Sequence, residues 1–223
     1  MKKLLCFFLV CITVFSMVGC SKFDEDYVYD GHSLIGKWME KDYDFEYYIS
    51  YEFFENGEVE VKEYYYGIEV SSMRGAYFVD KNVLKTQFIE YNGTVQHIEN
   101  RFSMREDMLV MLYLSEENQM EEKEMVLVPF DVEAIEPDEK LCGTWRDTSD
   151  QNEVWTFNSD LTGTVANADY TYKIKYSLDG KKLYIAYESV PGVIDSLIEV
   201  KYKIKKDTLT ITGEGVKLVF EKE

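Results

Sequence analysis

The feature of this sequence that most constrains its fold is an internal repeat. The pentapeptide LIGKW at residues 34–38 recurs as LCGTW at residues 141–145. Three more matches follow in the same order, at offsets of 104, 99 and 100: residues 51–53 with 155–157, Leu84 with Leu183, and residues 104–111 with 204–211. Ordered matches at a slowly drifting offset indicate a duplicated domain, in which the first copy is longer around residues 67–74 and 115–124.

The hydrophobic period within each copy is two. Val59 and Val61 alternate with Glu58 and Glu60, and residues 198–205 alternate in the same way between apolar and charged side chains. This alternation is typical of strands with one buried face, so we expect Glu58 and Glu60 to face water. The pairs Asn56-Gly57, Asn92-Gly93 and Asp179-Gly180 tolerate the positive φ angles of tight hairpins. We therefore predict an all-β chain of two tandem small antiparallel barrels or sandwiches, with about seven strands in each.

The first twenty residues have the pattern of an export signal. Lys2 and Lys3 precede an apolar run that ends in Val18-Gly19-Cys20, and the stretch is too short for a spanning helix. It resembles the lipobox of bacterial lipoproteins, in which the cysteine is lipidated and becomes the mature N-terminus. The resemblance implies that a lipid on Cys20 anchors the chain to a membrane of the bacterial cell envelope.

A short acidic stretch, Asp24-Glu25-Asp26, follows the lipobox. It resembles the export tag that sends lipoproteins of Bacteroidota to the outer face of the outer membrane. An ordinary solvated linker explains the same residues, and both interpretations stay open. The expected organisation is a signal peptide at 1–19, a lipidated flexible tether at 20–33, a first β domain at 34–131, a linker at 132–140 and a second β domain at 141–223.

A Gly-x-Trp motif opens each β domain, as Gly36 and Trp38 in the first and Gly143 and Trp145 in the second. The motif resembles that of the lipocalin-like domains found in bacterial lipoproteins. The resemblance implies an antiparallel barrel in which the tryptophan closes the base, a packing role rather than a ligand contact. Each copy is shorter than a full lipocalin, so a closed barrel with a roomy cup and a flattened or filled barrel both stay open.

The charge of the chain bears on its partners. It carries 24 basic and 42 acidic residues, a net charge of −18, and 29 of the acids lie in residues 20–140. Such a field repels phosphate backbones and argues against nucleic acid as a partner.

The cysteines do not indicate a disulfide. After removal of the signal peptide, Cys20 and Cys142 remain, and Cys20 is the residue expected to carry the lipid. We therefore expect Cys142 to be a small buried side chain.

Catalytic and metal-binding motifs are not evident in the sequence. The acids alternate with apolar residues, and neither His32 nor His97 lies in a catalytic or zinc-binding spacing. We therefore expect a protein that is not an enzyme and has no cofactor or metal.

Aromatic residues offer a better indication of function. The chain has 18 tyrosines, and consecutive ones such as Tyr64-Tyr65-Tyr66 must face opposite sides of a strand. Some rings must then be exposed, at a ligand surface or a domain contact, although strand packing also explains abundant tyrosine. On this basis any recognition surface is expected in the first repeat, at Tyr64, Tyr65 and Tyr66.

The leading hypothesis for function combines these observations. It is a membrane-anchored lipoprotein with two lipocalin-like domains that binds a small apolar molecule, a glycan or a peptide without catalysis. The alternative is a structural or accessory protein-interaction module of an envelope assembly. An envelope hydrolase is the weakest option, because the sequence shows no catalytic constellation.

Overall fold

The structure is a computed structural model that describes residues 32–89, 93–114, 122–190, 193–213 and 215–223. The predicted signal peptide, Cys20 and nearly all of the tether lie outside the described residues. Among the described residues, no helix has the length and apolarity needed to cross a membrane.

The first repeat forms a closed antiparallel barrel of eight strands, preceded by a 3₁₀ turn at His32–Leu34. Its strands are β1 Gly36–Glu40, β2 Tyr47–Phe53, β3 Glu58–Tyr65, β4 Ile68–Asp80, β5 Val83–Ile89, β6 Val95–Arg105, β7 Met108–Leu114 and β8 Glu122–Pro129. Each strand pairs with the next along the chain, and β8 closes the barrel against β1 with Trp38 opposite Pro129.

The second repeat forms a second closed barrel with the same strand order. Its strands are β9 Gly143–Asp147, β10 Val154–Phe157, β11 Thr162–Ala166, β12 Thr171–Asp179, β13 Lys182–Val190, β14 Val193–Lys205, β15 Thr208–Gly213 and β16 Val216–Lys222. The all-β class and the two tandem antiparallel barrels are thus confirmed, with eight strands in each copy instead of seven. Full closure leaves neither sheet with an unpaired edge.

The two repeats share their turn conformations as well as their strands. Lys81 and Gly180 occupy the same hairpin position and have φ angles of 59° and 58°. Glu106 and Lys206 have φ angles of 56° and 53° at the next equivalent hairpin. Because a positive φ is uncommon outside glycine, its recurrence at matched positions supports the duplication inferred from the sequence.

Each barrel interior is occupied by one contiguous cluster of buried side chains. Phe53 and Tyr77 meet edge to face in the first barrel at 5.0 Å between ring centroids, and Phe157 and Tyr176 do so in the second at 5.2 Å. The tyrosine hydroxyls donate to the carbonyl oxygens of Phe54 and Asn158, at 3.0 and 2.6 Å. These hydrogen bonds satisfy the polar ends of two rings that lie in an apolar interior.

The compact units of the described chain do not coincide with the two repeats. The second unit contains residues 45–47 and 64–71 together with Val132–Glu223, and the first contains the rest of the first repeat. Residues 64–71 form the end of the β3–β4 hairpin and overlap residues 67–74, where the first repeat is longer than the second.

The prediction that Glu60 faces water is wrong. Glu60 is buried, and its carboxylate accepts a hydrogen bond of 3.0 Å from Arg74 Nε and lies 3.4 Å from Lys62 Nζ. Burial would raise the pKa of Glu60, but these two cations outweigh it and hold the pKa below its ordinary value. Alternation identifies the outer face of a strand, but it does not show which long neighbouring side chains cover that face.

Candidate functional site

The Gly-x-Trp motif has the same geometry in both repeats. Gly36 and Gly143 have φ angles of 131° and 130°, in a region that side chains rarely tolerate. The indole Nε1 of Trp38 donates to the carbonyl oxygen of Leu34 at 2.8 Å, and that of Trp145 donates to the carbonyl oxygen of Leu141 at 2.7 Å. Both indoles are buried, so backbone conformation and core packing account for these four motif residues.

The tyrosine run of the first repeat lies in the second compact unit. Tyr66 and Gly67 form a two-residue hairpin turn with φ angles of 50° and 77°. The Tyr66 ring stacks on that of Tyr184 at 4.1 Å, with an angle of 8° between the ring planes. Tyr65 packs against Tyr47 at 4.8 Å. At Tyr65 and Tyr66, contacts with other rings of the protein explain the aromatic side chains, and a ligand at residues 64–66 stays a prediction.

A recess of about 280 Å³ lies at one end of the second barrel. Its lining combines two aromatic rings, two carboxylates and a hydroxyl, from Tyr172, Tyr187, Glu188, Asp195 and Ser196. The recess lies in the second repeat, whereas the sequence analysis expected a recognition surface in the first.

The strand register explains how these side chains come together. Tyr172 lies near the start of β12, Tyr187 near the end of β13 and Ser196 near the start of β14, so antiparallel pairing brings all three to the same end of the barrel. Tyr187 is opposite Ser196, but Glu188 is opposite Ile194, which leaves Asp195 as an extra residue in β14. Such a β-bulge redirects side chains, and it puts Asp195 at the recess.

The two rings form adjacent walls of the recess. The centroids of Tyr172 and Tyr187 are 6.0 Å apart and their planes meet at 87°. Tyr172 is 40% exposed and Tyr187 is partly buried. Burial, followed by the negative charge of Glu153, raises the pKa of Tyr187 to about 12, so its hydroxyl stays protonated near neutral pH.

The first repeat has a different lining at the equivalent positions. Met73 and Phe88 replace Tyr172 and Tyr187, at an offset of 99, and Phe88 is buried. The Phe88 ring lies against Gly75, where an added Cβ would meet Phe88 Cδ1 at 2.6 Å. The β5–β6 ladder runs without a register shift from Val83 to Ile89, so it has no counterpart of the Asp195 bulge. In the first barrel, apolar side chains therefore occupy the positions of the two tyrosines.

One buried carboxylate near the same end of the barrel organises a turn. Asp147 is 1% exposed, and its Oδ1 accepts hydrogen bonds from the backbone N–H of Ser149 at 2.6 Å and of Asp150 at 2.9 Å. Burial would raise the pKa of Asp147, but the hydrogen bonds from Ser149 and Asp150 outweigh it and hold the pKa below its ordinary value. These hydrogen bonds give Asp147 a structural role at the end of β9.

The remaining candidates from the sequence do not assemble into a site. Cys142 is partly buried, and its Sγ lies 3.9 Å from the Tyr176 hydroxyl. His97 is exposed on β6. Within the described ranges, no group of three or more histidine, cysteine or acidic side chains is arranged to hold a metal ion.

Sequence reasoning missed the recess for a physical reason. Tyr172, Tyr187 and Glu188 look like ordinary members of alternating strands, and only the bulge brings Asp195 beside them. The signal that could have found them is the substitution of Met73 and Phe88 by two tyrosines at the aligned positions of the second repeat.

Comparison with known proteins adds a family match to the second barrel. Residues 139–220 match a family described as a family of unknown function (DUF5640). This match spans β9 to β15 and most of β16, and it carries no assigned activity. No curated protein matches the chain.

The chain also aligns with a solved structure that is described as the crystal structure of the DNA polymerase III subunit beta from Pseudomonas aeruginosa. The alignment has 9% identity and a TM-score of 0.15, and it covers 88% of this chain and 59% of that chain. This chain therefore spans less than two thirds of that subunit, and a superposition of this quality carries no argument about fold or function.

Proposed function

We propose that this protein is a lipid-anchored envelope protein with two lipocalin-like barrels, which binds a ligand without catalysis in the recess at one end of the second barrel. The observation that carries the proposal is the recess lined by Tyr172, Tyr187, Glu188, Asp195 and Ser196. Binding sites combine apolar walls with a few polar groups that fix orientation, and the mouths of barrels are common places for them.

The filled barrel interiors indicate where the ligand binds. Trp145, Phe157, Tyr176 and Phe220 belong to one buried cluster in the second barrel, and each is at most 1% exposed. A ligand enclosed in the barrel would have to displace these side chains, whereas the recess is accessible without repacking. This favours a small ligand, or one end of a larger glycan or peptide, over an apolar molecule held inside the barrel.

The lipocalin-like assignment is supported by the barrel and its opening motif. Eight antiparallel strands in simple up-and-down order are found in lipocalins. The resemblance noted for Gly36, Trp38, Gly143 and Trp145 agrees with the burial of both indoles. The envelope location rests on the lipobox resemblance alone, with Cys20 as the lipidated residue.

Membrane anchoring is tested by fractionation of cells that express Cys20→Ser. The variant is expected in the soluble fraction, and Cys142→Ser, a matched cysteine control, is expected to stay with the membrane. Recovery of Cys20→Ser in the membrane fraction would contradict lipidation as the anchor.

The outer-face hypothesis has its own test. Asp24, Glu25 and Asp26 are replaced by alanine, and intact cells are treated with protease. Unchanged exposure of the protein at the cell surface would oppose the hypothesis.

Ligand binding is tested by saturation-transfer NMR on the full chain in an uncharged detergent. The panel contains neutral oligosaccharides, short peptides and small organic ions, each measured against protein-free micelles. The matched variant is Tyr172→Met with Tyr187→Phe, because these residues are tolerated at the same positions of the first repeat. We expect at least one panel member to bind the natural chain and to lose transfer in this variant, while Tyr43→Met behaves as the natural chain. If every bound ligand received equal saturation transfer from the natural chain and from the Tyr172→Met, Tyr187→Phe variant, the proposed site would be contradicted.

The alternative function is a protein-interaction module, and one observation favours it. Phe78, Ile89 and Val95 in the first unit are 59%, 66% and 41% exposed. Contiguous exposed apolar groups often lie at protein contacts, and Ile89 is directly opposite Val95 on the β5–β6 ladder. A photoreactive amino acid at position 78 would test this in cells. A discrete crosslinked partner that is lost with Ile89→Ser supports the module, and the absence of any discrete crosslink opposes it.

A further inference from the structure

We propose that the recess of the second barrel binds the cationic head of an organic molecule, an alkylammonium or guanidinium group, in preference to an uncharged sugar. This inference rests on the proposed function, because it names the chemical class of ligand for the same recess. The grounds are the two carboxylates, the two rings and the contrast with the first repeat.

The carboxylates give the recess its charge preference. Glu188 and Asp195 both line it, and none of the ion pairs among the described residues involves either one. Lys173 is the cross-strand neighbour of Glu188 but does not form an ion pair with it in the described structure. Opposite charges attract through Coulomb energy in addition to any hydrogen bond, and this attraction is larger near a protein surface than in bulk water. A ligand that brings its own positive charge therefore gains more beside Glu188 and Asp195 than a neutral sugar hydroxyl does.

The aromatic walls favour a cation of organic character. The faces of tyrosine rings attract cations within about 6 Å of the ring centroid, and the attraction grows when water is displaced. Tyr172 and Tyr187 meet edge to face at 87° beside the carboxylates, and Tyr170 meets Tyr172 in a similar arrangement at 4.8 Å between ring centroids. Rings at such an angle can contact the methyl or methylene groups around a charged nitrogen, whereas a metal ion would need several oxygen ligands. The described residues hold no group of three or more metal-binding side chains.

The first repeat shows that the acidic lining is not required by the barrel. At the offset of 99 that aligns Leu84 with Leu183, Glu188 corresponds to Ile89, a neutral residue. Asp195 is the extra residue of the bulge in β14, and the equivalent β5–β6 ladder of the first repeat has no register shift. The duplicated fold thus forms without these two acids, and their presence at the recess points to a role beyond stability.

The net charge of the chain also favours a cationic ligand. A protein with a net charge of −18 raises the local concentration of cations and speeds their association, and both effects weaken as salt is added. Residues 141–223 contain 11 basic and 13 acidic residues, so the second repeat is nearly neutral as a whole. The second repeat therefore contributes little to this field, and the acidic charge of the rest of the chain adds to the attraction of Glu188 and Asp195.

The test compares choline with 3,3-dimethylbutan-1-ol, an uncharged molecule of nearly the same shape. Saturation-transfer NMR on the full chain in an uncharged detergent, corrected for protein-free micelles, gives an apparent dissociation constant for each. We expect choline to bind at least about tenfold more tightly than the alcohol, because its trimethylammonium charge is attracted by the two carboxylates and by the ring faces, whereas the neutral tert-butyl group is not. Choline binding should also weaken with added sodium chloride.

Variants then assign the effect to named residues. Glu188→Gln with Asp195→Asn should weaken choline binding by about tenfold or more, because it removes both negative charges of the recess. The control Glu221→Gln removes one charge from an exposed position on β16 and should bind choline nearly as the natural chain does. Amide NMR spectra of the variants check that the fold is retained.

The outcomes separate this inference from the proposed function. Equal binding of choline and the alcohol, or unchanged choline binding by the double variant, would overturn the cationic ligand and leave the recess as a binding site. Binding of a neutral oligosaccharide at the recess without binding of choline would also overturn it. If no compound of either panel binds, the proposed function fails together with the inference.

Discussion

Replacement of Gly36 by alanine isolates the backbone strain of the Gly-x-Trp motif. Gly36 has a φ angle of 131°, and an added Cβ at this position would meet no atom within 4 Å. Any loss of stability must therefore come from the backbone conformation rather than from a clash. Holding a non-glycine residue in such a region costs about 1–3 kcal/mol, and the stiffer unfolded chain returns about 0.4–1 kcal/mol.

The net expectation for Gly36→Ala is a loss of about 1–2 kcal/mol in the free energy of unfolding of the first barrel. For a domain of this size, that corresponds to a melting temperature lower by about 4–16 °C. Gly180→Ala is the matched control, because its added Cβ also meets no atom within 4 Å and its φ is 58°. The equivalent Lys81 already adopts 59°, so we expect Gly180→Ala to change stability by less than about 1 kcal/mol.

Fluorine NMR with 5-fluorotryptophan separates the two barrels. The chain has three tryptophans, with Trp38 in the first repeat and Trp145 and Trp155 in the second. Urea titration of the Trp38 resonance should show a lower midpoint in Gly36→Ala. An unchanged midpoint, or a loss in Gly180→Ala as large as that in Gly36→Ala, would refute the strain argument.

Three further predictions concern stability. Asp147→Asn should lose about 1–3 kcal/mol at pH 7. Because the folded pKa of Asp147 lies below its ordinary value, this stabilisation is present above about pH 4 and is lost as the pH falls through the folded pKa, so the urea midpoints of the two proteins should converge as the pH is lowered below about 4. Tyr66→Ala should destabilise the second unit by about 0.5–1.5 kcal/mol beyond the lost buried area, because it removes the stack on Tyr184, and hydrogen exchange of β13 measures this. Tyr176→Phe and Tyr77→Phe should each cost about 1 kcal/mol in urea unfolding, and a neutral effect of both would show that these hydroxyl bonds contribute nothing.

The fold follows from the sequence where the physical signal is local. The alternation at residues 198–205 and the repeated pentapeptide predict strands and duplication, because strand faces have a period of two. The glycines at 57 and 180 adopt the positive φ angles expected of hairpins. Each barrel has eight strands instead of about seven, because short strands such as β10, with four residues at Val154–Phe157, offer little alternation from which to count them.

The candidate site was not predicted from strand alternation, because it depends on register and on contacts between distant residues. The recess needs one extra residue, Asp195, in β14, and a shift of one residue reverses the faces of a strand. Glu60 is buried because Arg74, 14 residues away, reaches over it. Neither feature has a signature in the neighbouring sequence.

The most direct test of the account is to locate the bound ligand by photocrosslinking. A diazirine derivative of the tightest binder from the panel is irradiated with the full chain, and the modified peptides are identified by mass spectrometry. The account predicts modification near Tyr172, Tyr187 and Asp195, with competition by the unmodified ligand. Modification concentrated at Tyr64–Tyr66 or within the first barrel would contradict it.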